Sequence, residues 1–112
     1  MARVAFRIFS TNPPSERDLS TYLELGIVTE FDDPDAVEMA SGYSVFRDEA
    51  YARRVSKRMP WKRAGFIARL VLSDRVDVRL RQTGGNPRHY TLWCSRDVLL
   101  ESVVEIHPTR DQ

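Results

Sequence analysis

The sequence predicts one α+β domain: a mixed, largely antiparallel sheet of five or six strands with two or three helices packed against it. Three observations carry that prediction. Apolar residues alternate with a period of two over residues 4–9 and 76–81, the pattern of strands with one buried face. A nearly continuous apolar run from Phe66 to Leu72, interrupted by Arg69, reads as a strand buried on both faces. Between such segments lie short stretches opened by good helix caps, with no internal repeat.

The elements follow in order. Residues 4–9 set Val4, Phe6 and Ile8 on one side and Ala5, Arg7 and Phe9 on the other, so Arg7 projects away from Phe6 and Ile8. Asn12-Pro13-Pro14 stops this strand, because proline lacks a ladder donor. Ser15 then caps a helix predicted over residues 16–25, with Leu19, Tyr22, Leu23 and Leu25 as its apolar stripe and Gly26 as the left-handed residue that ends it. Asp33-Pro34 is an N-cap followed by proline at the first helical position, predicting a helix over 33–40.

The stretch Gly42-Tyr43-Ser44-Val45-Phe46 reads as the strand around which the chain is organised, leading directly into a helix opened by Asp48 and Glu49. Arg53, Arg54, Lys57 and Arg58 gather at the far end of that helix, the charge order a helix dipole favours. Ala52, Val55 and Met59 have inward spacing, and Pro60 ends it. Phe66 to Leu72 is the candidate central strand, and residues 76–81 belong nearer an edge. Thr83-Gly84-Gly85-Asn86-Pro87 carries the densest turn chemistry and delivers the strand His89-Tyr90-Thr91-Leu92-Trp93. Ser95 caps a short helix through Leu100, residues 103–106 form the last strand, and the tail 109–112 is expected to fray beyond a domain spanning 1–108.

Composition limits what these elements can do. The 112 residues suit one core, with 42% apolar and 29% charged residues, inside the globular range. A net charge of +1 gives no global field toward nucleic acid or an anionic membrane. Cys94 is the single cysteine, which excludes an internal disulfide and a multi-thiolate zinc site, and no run of about 18 apolar residues exists. A cytoplasmic location is the expectation, with no membrane partner and the oligomeric state open.

Several constellations could carry chemistry. Arg47, Arg53, Arg54, Lys57, Arg58, Lys62 and Arg63, interleaved with Tyr51 and Trp61, could meet phosphates and stack on bases, against the bland reading of a solvated helix face. His89 and Tyr90 follow a glycine loop that lets backbone donors approach a ligand, although a histidine there can equally serve a local carbonyl. The acidic residues Asp32, Asp33, Asp35 and Glu38 lack the ligand spacing and glycine of a calcium loop, and His89 with His107 lacks a placed carboxylate, so no metal is assigned. Cys94 and His89 are an odd number of residues apart on one strand and point to opposite faces, which makes Cys94 a core residue rather than a nucleophile.

Arg7 on the first strand and Gly42 to Phe46 leading into a helix with Ala50 and Ala52 resemble the first two signature regions of the ADP-ribosyltransferase superfamily. The resemblance implies that Arg7 contacts nicotinamide adenine dinucleotide (NAD) and that Ser44 orders the pocket, with Tyr43, His89 and Tyr90 as further cofactor contacts. A glutamate in a third region completes that family's site; Glu105 stands near the final strand outside the family's pattern. The chain is also similar to small bacterial proteins with a G-x-S-V-F segment and an H-Y-T-L-W segment, here Gly42 to Phe46 and His89 to Trp93, a likeness that implies no activity.

The resulting expectation is a NAD-binding, ADP-ribosyltransferase-like domain, a toxin or effector acting on a protein or nucleic acid, with Arg7, Ser44 and Glu105 in the catalytic roles. The alternative is a non-enzymatic module that uses Arg53, Arg54, Lys57, Arg58, Lys62 and Arg63 to contact nucleic acid or an acidic protein. A third reading is a partner-binding protein that uses an exposed sheet edge or Trp61.

Overall fold

The computed structural model describes residues 3–60, 62–75 and 77–110; Trp61 and Val76, both used in the sequence reading, lie outside them. In chain order the elements are β1 (Arg3–Phe9), α1 (Pro34–Ala40), β2 (Tyr43–Phe46), α2 (Glu49–Arg58), β3 (Phe66–Leu72), β4 (Arg79–Gln82), β5 (His89–Trp93), α3 (Arg96–Ser102) and β6 (Val103–Pro108). The six strands form one sheet in the order β4-β5-β2-β1-β3-β6. The α+β class holds, and each pairing among the described strands is antiparallel rather than mixed.

Alternation along the strands divides the apolar residues between two layers. Ala5, Phe9, Tyr43, Val45, Ala68, Leu70, Leu72 and Leu92 face one side, where Leu19 and the α3 residues Val98 and Leu99 close the main core. Phe46 and Ile67 face the other, against Ala52 of α2, with Phe6, Ile8, Tyr51 and Val55 packed around them. The sheet is therefore buried on both faces over β1 and β3, which accounts for the nearly unbroken apolar run of β3. That strand is interior but one place from the edge, since β6 flanks it.

The predicted caps form. The Asp33 carboxylate accepts from the backbone N–H groups of Asp35 and Ala36, that of Asp48 accepts from Tyr51 N–H, and the Ser95 hydroxyl accepts from Val98 N–H. Each satisfies donors that a first turn leaves unpaired.

Three expectations are corrected. The helix over 16–25 does not form. Ser15 Oγ accepts from Asp18 N–H at 3.2 Å while Asp18 Oδ2 accepts from Ser15 N–H at 2.9 Å, and Thr21 and Glu24 repeat that reciprocal exchange at 3.2 and 2.9 Å. Two capping boxes so close together start two single turns, and the second interrupts continuation of the first. Secondly, among the described residues the strand predicted over 76–81 begins at Arg79: Val78 N–H donates to Arg75 C=O at 3.0 Å, which places the buried Val78 in a turn. Thirdly, Thr109 does not fray. It is buried, its N–H donates to Gly65 C=O at 3.0 Å and its hydroxyl to Ala64 C=O at 2.7 Å.

One irregularity in the sheet makes room for a site. β1 and β2 are neighbours, yet they pair only at Phe6 and Phe46. Beyond that pair the ladder opens, and Ser44 and Ile8, which the register would bring opposite each other, line a cavity instead.

Candidate functional site

The cavity is a cleft of about 650 Å³, within the roughly 300–1,000 Å³ typical of small-molecule sites. Its wall combines Arg7, Ser44, His89 and Thr91 from the sheet with Tyr22, Leu25 and Val28 from the turn region, Met39 from α1 and Val55 from α2. Because the β1–β2 ladder is open here, residues of both sheet faces reach one space.

Arg7 sits at the floor. Its Nη2 and Nε donate to Asp18 C=O at 2.8 and 3.2 Å, its Nη1 donates to Ser44 C=O at 2.8 Å, and its guanidinium lies 5.0 Å from the Tyr43 ring centroid. These bonds replace part of the missing ladder. Among the described residues no carboxylate lies within ion-pair distance of Arg7. Burial pulls the guanidinium below its ordinary value, and the nearby Asp18 only partly opposes this. The cation is recessed without being neutralised, and two of its five N–H donors remain beyond the three bonds described.

Asp18, which the sequence reading placed in a helix, secures this floor. Its carboxylate accepts from Ser10 N–H at 2.9 Å, Ser10 hydroxyl at 2.9 Å and Ser15 N–H at 2.9 Å, which turns its backbone carbonyl toward Arg7. The Ser-x-x-Asp spacing of residues 15 to 18 was the signal that could have found it.

A second group lines the wall. Ser44 Oγ lies 2.6 Å from His89 Nε2, Thr83 Oγ1 lies 3.1 Å from His89 Nδ1, and Thr83 and Thr91 hydroxyls are 2.7 Å apart. The Phe46 and imidazole rings meet in a T-shaped arrangement with centroids 5.9 Å apart. Burial lowers the His89 pKa from its ordinary 6.5, partly offset by a hydrogen bond to the Thr83 backbone. Burial thus favours the neutral form of the ring. Thr83 and Thr91 went unnoticed in the sequence because threonines in and beside a strand are ordinary β-formers.

The remaining predicted residues divide. Tyr43 lines the cleft, its hydroxyl donates to Leu19 C=O at 2.9 Å, and burial raises its pKa. Tyr90 does not share the cleft with His89. Strand alternation sends it to the main-core face, where the Arg47 guanidinium lies 5.7 Å from its ring. Glu105 is also elsewhere: it lies exposed on the edge strand β6, its carboxylate 3.1 Å from His107 Nε2, with β1 and β3 between it and β2. The Cys94 thiol is pushed up to about 11 by burial, as suits a core residue. The described residues hold no metal-binding group of three or more acidic, histidine or cysteine side chains, and Glu38 instead engages Arg81 at 3.0 Å and Arg79 at 3.4 Å.

The basic helix disperses its charges. Arg53 Nη1 donates to Pro108 C=O at 3.1 Å and Arg53 Nη2 lies 3.8 Å from Glu49, while Lys57 lines a second depression with His107 and Arg110. Arg54 and Arg88 lie 5.4 and 5.1 Å from the Tyr51 ring, Arg58 and Lys62 are exposed, and Arg63 joins the cleft wall.

No helix of the described residues is long and apolar enough to cross a membrane. Compared with protein-family models, with curated proteins and with solved structures, the chain matches none.

Proposed function

We propose that the cleft binds a nucleotide, with NAD as the first ligand to test, in the manner the ADP-ribosyltransferase resemblance implies for Arg7 and Ser44. The observation that carries this reading is a recessed guanidinium with spare donors and no carboxylate partner among the described residues, on the floor of a cleft of about 650 Å³. Among the described residues, Arg7, Arg17 and Arg63 line the cleft against the single carboxylate of Asp18, whose oxygens are already engaged by backbone N–H groups. Such a wall favours an anionic ligand, and its apolar residues suit a ring system.

The reading stops at binding. Stabilising a ribosyl cation needs a carboxylate at the reacting centre, and neither the distant Glu105 nor the engaged Asp18 supplies one. The test is the thermal midpoint at millimolar NAD, compared between the wild type and Arg7→Met. A ligand at 100 times its dissociation constant stabilises by about 2.7 kcal/mol, and no shift in the wild type refutes the reading.

A second reading has its own observation. Arg47, Arg54 and Arg88 lie against tyrosine rings rather than carboxylates, which leaves their charge available to phosphates of a nucleic acid. Here the target would meet the rim formed by Tyr51, Arg54 and Arg88 rather than the whole of α2.

A further inference from the structure

The cleft contains one arrangement whose reactivity nucleotide binding does not require. The register of β2 and β5 places Thr91 opposite Ser44 and His89 opposite Phe46, so Ser44 and His89 are diagonal neighbours whose contact the ladder does not force. They nevertheless meet at 2.6 Å, and both face the cavity. Thr83 stands on the other side of the imidazole, 3.1 Å from Nδ1, and is itself fixed by Thr91 at 2.7 Å.

In the tautomer that carries its proton on Nδ1, the ring donates to Thr83 Oγ1, and Nε2 is bare and accepts the Ser44 hydroxyl proton. A hydroxyl, a base in hydrogen-bond reach and a group that orients the base together make the general constellation of an activated nucleophile. Here a threonine takes the place of the orienting carboxylate.

We propose that Ser44 is a nucleophile toward acyl esters, with His89 as its base and Thr83 as the positioning residue. The Ser44 Oγ bonds to the ester carbonyl carbon, its proton passes to His89 Nε2, and the carbonyl π pair moves onto the carbonyl oxygen. Collapse restores the carbonyl and breaks the bond to the alkoxide, which takes the proton from His89. Water then attacks the acyl-serine by the same route, giving up a proton to His89 that returns to Ser44 Oγ, and releases the acid. Ester and water are consumed, acid and alcohol are formed, and no oxidant or metal is needed. The apolar wall of Leu25, Met39 and Val55 suits the acyl or alcohol arm, and Arg7 suits an anionic one.

This proposal does not rest on nucleotide binding and can fail or succeed separately. The test uses a fluorophosphonate, which reports an activated serine without knowledge of the substrate: the serine oxygen displaces fluoride at phosphorus and leaves a stable adduct. The whole chain is incubated with the probe and the modified peptide is identified by mass spectrometry. The expected result is an adduct confined to Ser44, absent in Ser44→Ala, and formed about 100-fold more slowly in His89→Gln, the lower range for loss of a positioned base. Thr83→Val, which keeps the base but loosens its orientation, is expected to slow labelling while leaving the adduct on Ser44. An unlabelled Ser44 in the wild type, labelling spread over surface serines, or an equal rate in folded His89→Gln overturns the proposal. The wild-type arm needs no variant, so a misfolded substitution does not protect the idea.

Discussion

Replacing Gly42 by alanine tests how tightly the strand that carries Ser44 is held against β5. A Cβ built at Gly42 would lie 2.5 Å from Thr91 Cγ2, 2.9 Å from the Leu92 carbonyl oxygen and 3.1 Å from Trp93 Cδ1. The threonine methyl could rotate away, but the carbonyl belongs to the buried ladder of β5 and can move only with its strand. Overpacking of this kind costs about 1–3 kcal/mol. At this chain length that corresponds to a fall of roughly 4–12 °C in the melting midpoint, taking about 4 °C per kcal/mol. Gly85→Ala is the control, since nothing lies within 4 Å of its built Cβ and its φ is not positive. That variant is expected to be neutral or stabilised by up to about 1 kcal/mol through the unfolded chain. The assay is thermal unfolding followed by circular dichroism, with both variants and wild type at equal concentration. Equal midpoints for Gly42→Ala and Gly85→Ala would refute the close approach of β2 to β5 and, with it, the placement of Ser44 near His89.

Further outcomes follow from other parts of the molecule. Asp18→Ala leaves the Ser10 and Ser15 donors without their acceptor and frees the carbonyl that Arg7 holds; a loss of about 3 kcal/mol in urea unfolding is expected, and a loss under about 1 kcal/mol contradicts the floor described for the cleft. His89 has a folded-state pKa below its ordinary 6.5, so the unfolded chain binds more protons as pH falls through that value. Stability is therefore unaffected by this group above about pH 7.5 and declines as pH drops below its unfolded pKa. His89→Gln should remove that part of the decline, and a pH–stability curve identical to wild type would show that the imidazole is not buried in this way. Arg54→Glu with Arg88→Glu should abolish retention on a phosphate polymer near physiological salt if the rim meets nucleic acid; unchanged retention ends that reading.

The parts of the fold visible in the sequence are those governed by near neighbours. Period-two alternation located β1, and one side-chain oxygen located the start of each of α1, α2 and α3. The segment from Ser15 to Leu25 misled because Leu19, Tyr22 and Leu23 have helical spacing, whereas the backbone there follows side-chain acceptors that the apolar pattern ignores. Only Leu19 of the stripe reaches the core, and Tyr22 stays half exposed. The site was legible to a similar depth. Alternation gave Arg7 its face, but its adjacency to Ser44 and the opening of the β1–β2 ladder depend on pairings distant in sequence. For the same reason Glu105, chosen as the candidate carboxylate although it stands outside the family's pattern, ends up across the sheet. Tyr90 was a simpler miss, since the parity argument that separated Cys94 from His89 applies equally to adjacent residues.

The single Phe6–Phe46 pair joining β1 to β2 also governs how the molecule can deform. The sheet divides there into two plates of three strands, β4-β5-β2 and β1-β3-β6, each internally laddered, with the Arg7 guanidinium as a rivet across the seam. A guest that draws Arg7 toward itself would loosen that rivet while bridging the plates on its own account, so occupancy and the stiffness of the whole sheet are coupled through one side chain.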